Sequence, residues 1–270
     1  MTTTLRAGAM LTAGLLLGAV AALWLAADPM ATDRPRRFST PLHESGWLGT
    51  DQLGRDLLAR ALAGLRWSVA VAVAATLLAA AVGTLLGLLA ADRPGWIRAS
   101  VNQLVDMVLS FPGLVVAIVV IAVLGHGFWP LVLTLGLLSW PVFARVIYAE
   151  ARSALGRDYV LAARLSGESR ARILAGHVLP ALRPSLAVMF AFHFADMLIA
   201  ESALSFLGVG TPLGEPSLGN MLAESRQYLF VAPHLMYVPA AVIVLAVIAA
   251  NLVGDGLGGR PDLDRRGVRR

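Results

Sequence analysis

The chain has 270 residues, 57% of them hydrophobic and only 14% charged, with a mean hydropathy of +0.72. Soluble domains carry about 25% charged residues, so this balance excludes an ordinary soluble fold and indicates a polytopic membrane protein. The sequence has no cysteine, which excludes disulfides and thiolate metal sites, and all 22 basic side chains are arginine.

Six apolar segments follow in order, predicting an all-α membrane protein with six transmembrane helices. The first lies between Arg6 and Asp28 and holds 21 uncharged residues. A cleaved signal peptide is the alternative, because Leu25-Ala26-Ala27 offers small residues near its end. The run is long for a signal core, so 1–27 reads as a retained helix. Residues 28–66 form a polar, Pro- and Gly-bearing extracytoplasmic or interfacial segment. Asp51 is placed to cap a helix start there. Leu57, Leu58, Leu62 and Leu65 then make an amphipathic stripe expected to lie along the membrane surface. The main transmembrane core is expected over 67–258.

The second span, between Arg66 and Asp92, has 25 uncharged residues and carries Gly83 and Gly87. That small-xxx-small pair suits close helix packing, although glycine is also simply tolerated in membrane helices. The third span covers 99–124 and contains Asp106 in its early turns and Pro112 in its middle. Pro112 lacks the backbone donor a helix needs and predicts a kink. Asp106 is costly in a membrane. It lines a pathway, pairs with a neighbouring helix, or lies close enough to the interface to be wet. The fourth span, 128–148, carries Pro141 as a second expected kink.

A polar stretch then interrupts the apolar pattern. Residues 156–180 read GRDYVLAARLSGESRARILAGHVLP and include Arg157, Arg164, Arg170 and Arg172. Tyr159, Ala162, Ala163 and Ser166 follow i, i+3, i+4, i+7 spacing, which places them on one face of a short helix. The alanines keep that face narrow enough for another surface to approach. Gly167 is placed to end or turn that helix. A second short helix is predicted over 170–175, and Leu179-Pro180 marks re-entry into an apolar segment. At about 25 residues the stretch is longer than a plain connector needs to be.

The fifth span, 182–207, holds His193, Asp196 and Glu201. Three ionisable groups in one membrane helix require water, partners or a pathway, so these residues and Asp106 are the translocation-pathway candidates. The sixth span lies between His234 and Asp255, and an Arg-rich tail, 259–270, follows. With the N-terminus in the cytoplasm, six spans place 15 of the 22 arginines inside and the C-terminus inside too. The positive-inside rule favours that orientation, and it puts 156–180 in the cytoplasm. Arginines at membrane borders, rather than in one patch, argue against nucleic-acid binding.

The 156–180 stretch resembles the loop shared by permease subunits of ABC importers, written E-A-A-x3-G-x9-I-x-L-P. The matching residues are Ala162, Ala163, Gly167, Leu179 and Pro180; Leu161 stands where many members carry Glu, and His177 where the pattern has Ile. WLGTDQLGRDLLARAL (47–62), AESALSFLGVG (200–210), PSLGNML (216–222) and NLVGDGL (251–257) resemble the dipeptide, oligopeptide and nickel branch of that family. The resemblance implies the second-type permease of a type I importer, with a helix–turn–helix loop that couples to a cytoplasmic ATPase. It also implies a second homologous permease, one or two ATP-binding subunits and an extracytoplasmic substrate-binding protein, in a bacterial inner membrane. The chain carries no Walker A, HExxH or G-x-S-x-G motif, so no catalytic, metal or cofactor site is expected in it. ATP and Mg are expected on the partner subunits. A proton-coupled transporter using Asp106, Asp196 and Glu201 is one alternative reading. A membrane assembly protein without transport activity is another.

Overall fold

The computed structural model describes residues 28–41, 47–93, 95–212 and 214–258, together with Arg6, Gly8, Met10, Leu11, Ala13 and Gly14. Those six residues are helical. The rest of the expected first span (1–27) and the tail 259–270 lie outside the described residues.

The described chain is helical, with one isolated bridge between Thr50 and Asp56. In order the helices are α1 (Leu57–Asp92), α2 (Trp96–Leu109), α3 (Gly113–Leu124), α4 (Phe128–Leu155), α5 (Asp158–Leu165), α6 (Arg170–Ile173), α7 (Leu179–Phe206), α8 (Leu218–Ser225) and α9 (His234–Gly258). Among the described residues, four helical runs are long and apolar enough to cross a membrane: α1, α4, Arg170–Phe206 and α9. The bent pair α2–α3 makes a fifth if it counts as one span.

α1 departs from the sequence reading. No breaker separates Leu57 from Asp92, so the stripe at Leu57, Leu58, Leu62 and Leu65 is the first part of one 36-residue helix. Leu57 and Leu65 are buried, Leu57 against Met221 and Leu235, so the stripe does not lie free on a membrane surface. At 1.5 Å per residue α1 is about 54 Å long and outruns a hydrocarbon core of about 30 Å. Its cap is Asp56, whose side chain accepts from the Ala59 N–H at 2.9 Å, and not Asp51.

The expected third span is broken rather than kinked. α2 and α3 meet at 87°. Pro112 has φ −62° and ψ 109° and supplies no N–H, and a residue preceding proline is biased away from helix. The chain therefore leaves α2 at Ser110 and restarts at Gly113. Pro141, by contrast, lies within the single helix α4, which runs on to Leu155.

Leu179-Pro180 does not open a separate helix either. Residues 174–178 form a π turn, with the Leu179 N–H donating to Leu174 O, so α6 continues into α7 as one 37-residue run. Pro180 cannot donate to Gly176, and widening the preceding turn keeps the chain helical through that missing bond.

α1 and α4 pack at close range. A Cβ added at Gly83 would lie 2.5 Å from both Phe143 Cβ and Trp140 O, and one added at Gly87 would lie 2.8 Å from Ala144 O. Gly136 of α4 approaches Ala75 and Leu78 of α1 in return. Small residues on both helices bring the backbones together, and van der Waals packing then holds them without a hydrophobic driving force. Around this pair, Leu131, Leu135, Ile121, Leu198, Leu204 and Ala246 build the central core from α4, α3, α7 and α9.

Candidate functional site

The 156–180 stretch is anchored by a second core. Val160 and Ala163 of α5, Ile173 of α6 and Val178 pack against Ala151, Ala154 and Ile147 of α4 and Ala91 of α1. The face read from sequence is therefore divided. Ala163 points inward and is 7% exposed. Tyr159, Ala162, Ser166 and Gly167 are exposed, and Leu179 and Pro180 are half-buried. Each residue turns about 100° around a helix, so Ala162 and Ala163 cannot both centre on one face. Val160 lies three residues before Ala163, and the two together take the inward side. The outward side is more apolar than the spacing indicated, because Leu161 and Leu165 are 56% and 82% exposed.

Gly167 closes α5. Its φ is 81°; its N–H donates to Arg164 O at 3.1 Å, and the Glu168 N–H donates to Ala163 O at 3.2 Å. This pair of bonds is a Schellman cap, which needs a left-handed residue at that position. Nothing lies within 4 Å of a Cβ added there, so backbone conformation, not crowding, calls for glycine. Ser169 then caps α6 through the Arg172 N–H. His177 Nε2 lies 3.2 Å from Glu168 Oε2, and its ring is 6.4 Å from that of Tyr159. These contacts join the π turn to the loop. They span a turn rather than a helix face, so no periodicity in the sequence announces them.

The four polar groups expected within the spans fall in different settings. Asp106 of α2 accepts from Arg145 of α4 at 2.5 Å, with both side chains more than half exposed. Arg145 therefore pairs across helices, from α4 to α2. Glu201 is fully buried. It accepts from Ser205 at 2.9 Å and from Ser202 and Thr211 at 3.4 Å, with Ser68 of α1 beside it. It thus ties α7 to the loop that follows it. His193 is buried edge-on to Phe143, with ring centroids 5.0 Å apart. Asp196 is open: its side chain is 70% exposed, and its nearest ionisable partner is His193 Nδ1 at 3.9 Å.

A further polar cluster went unread in the sequence. Asp51 Oδ1 accepts from the N–H groups of Leu53 and Arg55, making a turn rather than a helix cap. Its Oδ2 receives Arg55 at 2.7 Å and Arg60 at 2.5 Å, and both arginines also reach Glu224 of α8 at 3.1 and 2.9 Å. The Thr50 hydroxyl donates to Arg36 O. The GTDQLGRD phrase thus fastens the segment before α1 to α8, 169 residues downstream at the Arg55–Glu224 pair.

The family described as the binding-protein-dependent transport system inner membrane component matches residues 83–262. The glutathione transport system permease protein GsiD of Pectobacterium atrosepticum is 37% identical over 211 residues, 78% of this chain and 70% of that protein. The nickel transport system permease protein NikC of Escherichia coli is 34% identical over 234 residues, 87% of this chain and 84% of that one. A putative peptide permease of Brucella suis is 37% identical over 237 residues, covering 87% and 78%. Among solved structures, the MetNI methionine ABC transporter in inward-facing form matches with a TM-score of 0.58 at 18% identity, over 72% of this chain and 92% of that one. That likeness concerns the fold alone. The glycine-packed helices, the capped loop after α4 and these relatives agree, and the chain belongs to the binding-protein-dependent transport system inner membrane components, the permease subunits of ABC importers.

Proposed function

We propose that this permease forms half of a translocation pathway for a peptide or related small solute and receives the ATPase stroke through 156–180. The observation that carries the reading is the outward face of α5. Leu161 and Leu165 are exposed there, while Val160 and Ala163 hold the helix to α4. An exposed apolar patch on a well-anchored short helix is a protein-binding feature. It lies in the Arg-rich stretch that the positive-inside rule assigns to the cytoplasm. In this reading an ATPase dimer closing on ATP and Mg pushes α5, and α4 and the Arg170–Phe206 run carry the push into the membrane. A second related permease supplies the other half, an extracytoplasmic binding protein delivers the solute, and the N-terminal helix is the sixth span. The chain itself performs no hydrolysis.

The proton-coupled alternative needs a relay through Asp106, Asp196 and Glu201. Among the described residues no hydrogen bond joins any two of them, and two already have partners within the subunit. The test is Leu165→Asp in the complex of both permeases, ATPase and binding protein. Retention of the ATPase and substrate-stimulated ATP turnover should each fall at least about tenfold, which corresponds to about 1.4 kcal/mol of lost docking. Unchanged retention and turnover would remove the coupling assignment.

A further inference from the structure

Three acidic side chains lie well inside the spans, and the fold treats them differently. Asp106 is neutralised by Arg145 at 2.5 Å. Glu201 is enclosed and receives three hydroxyl groups. Asp196 alone of the three accepts no hydrogen bond among the described residues, and its side chain is 70% exposed. It sits about ten residues, or roughly 15 Å, from the end of α7, at a depth where a charge facing hydrocarbon is disfavoured. Phe192 and Ile199, one turn to either side, are 39% and 49% exposed, so the carboxylate stands on an otherwise apolar stripe.

A second feature marks this spot. His193 is 8% exposed, and its buried Nε2 has no partner among the described residues. Its Nδ1 is 3.9 Å from Asp196 Oδ2, beyond hydrogen-bonding distance. The imidazole edge therefore lies beside the carboxylate without satisfying it. Phe143 packs against the ring, and Ser139 of α4 reaches Met197 Sδ at 3.7 Å, so α7 is seated on α4 at this level. The carboxylate consequently stands at a set position, with acceptor capacity unused.

We propose that Asp196 is a specificity-determining residue that binds a positively charged group of the transported solute, an ammonium or comparable cation, as it passes α7. This inference rests on the translocation-pathway reading above. A single negative charge with apolar flanks selects by charge rather than by shape. It favours cationic and zwitterionic solutes over anionic ones, while Phe192 and Ile199 contact the uncharged part.

The experiment does not require the natural solute. The chain has no native cysteine, so Ile199→Cys, three residues from Asp196 on the same face, reports on that face alone. In the assembled complex, modification rates are compared for a trimethylammonium-bearing and a sulfonate-bearing methanethiosulfonate, with Asp196 present and with Asp196→Asn. The cation-to-anion rate ratio should drop about tenfold in the Asn variant, as expected for a nearby charge in a partly wet site. Labelling by both reagents with an unchanged ratio would overturn cation selection while leaving the pathway reading in place. No labelling by either reagent would mean that the face is sealed by lipid or by the second permease, and would overturn both. A wild-type rate for the uncharged reagent methyl methanethiosulfonate in the Asn variant confirms that the variant is folded.

Discussion

Gly167 illustrates how a single residue can be constrained by its backbone alone. With φ at 81° and open space where a Cβ would stand, substitution acts through conformation, by about 1–2 kcal/mol for an ordinary side chain. Gly167→Val should lower stimulated ATP turnover in the assembled complex, whereas Gly167→Asn should retain most of it, since Asn tolerates the left-handed region. Equal turnover in the two variants would show that the cap is not strained. Glu201 and Asp196 make a second contrast, this time of burial. Glu201→Ala removes the acceptor shared by Ser202, Ser205 and Thr211, and leaving such groups unpaired should cost about 1–3 kcal/mol, read as a lower unfolding temperature of the purified complex. Asp196→Ala should leave that temperature within about a degree, because its side chain makes no hydrogen bond among the described residues. The sequence placed both residues in one membrane helix. It could not separate them, because helical position does not reveal which face a neighbouring helix covers.

Helix pairs hold this molecule together by proximity. Gly83→Leu would force its side chain into Phe143 and Trp140 O on α4, and overpacking of this kind costs about 1–3 kcal/mol. The yield of folded subunit in detergent should drop, whereas Gly95→Ala, with nothing within 4 Å of an added Cβ, keeps its packing and should lose less despite its positive φ. The small-xxx-small spacing was legible in the sequence, but its partner helix was not. The outer polar cluster behaves differently. Arg60→Ala would leave Asp51, 1% exposed, with one cation fewer in a dry setting, a loss of about 3–5 kcal/mol when a buried pair is broken. Glu224→Ala, at a half-exposed site, should cost clearly less. Limited proteolysis between residues 28 and 56 reads the difference, and equal cleavage in both variants would argue against a buried lock.

At the scale of the whole chain, orientation is the property most open to test. A cysteine at Ser169 should react with impermeant reagent only from the cytoplasmic side, and one at Gln227 only from outside. Both positions are exposed, and the chain has no native cysteine to blur the signal. Reversed labelling would overturn the topology and the ATPase-coupling role together.

Hydropathy and short motifs determined what could be known locally. They place the apolar runs, the helix that needs Gly167 at its end, and a family resemblance that the comparisons bear out. Each of these is carried by the order of residues along a stretch of chain, where hydropathy, helical spacing and turn chemistry act. The tertiary structure decided everything that depends on partners far along the chain. It turned Ala163 inward while leaving Ala162 outside, bound Asp51 to Glu224 through two arginines, and left Asp196 open beside an enclosed Glu201. These outcomes turn on which surfaces meet, and burial of a face is a property of the packed molecule that no local spacing encodes.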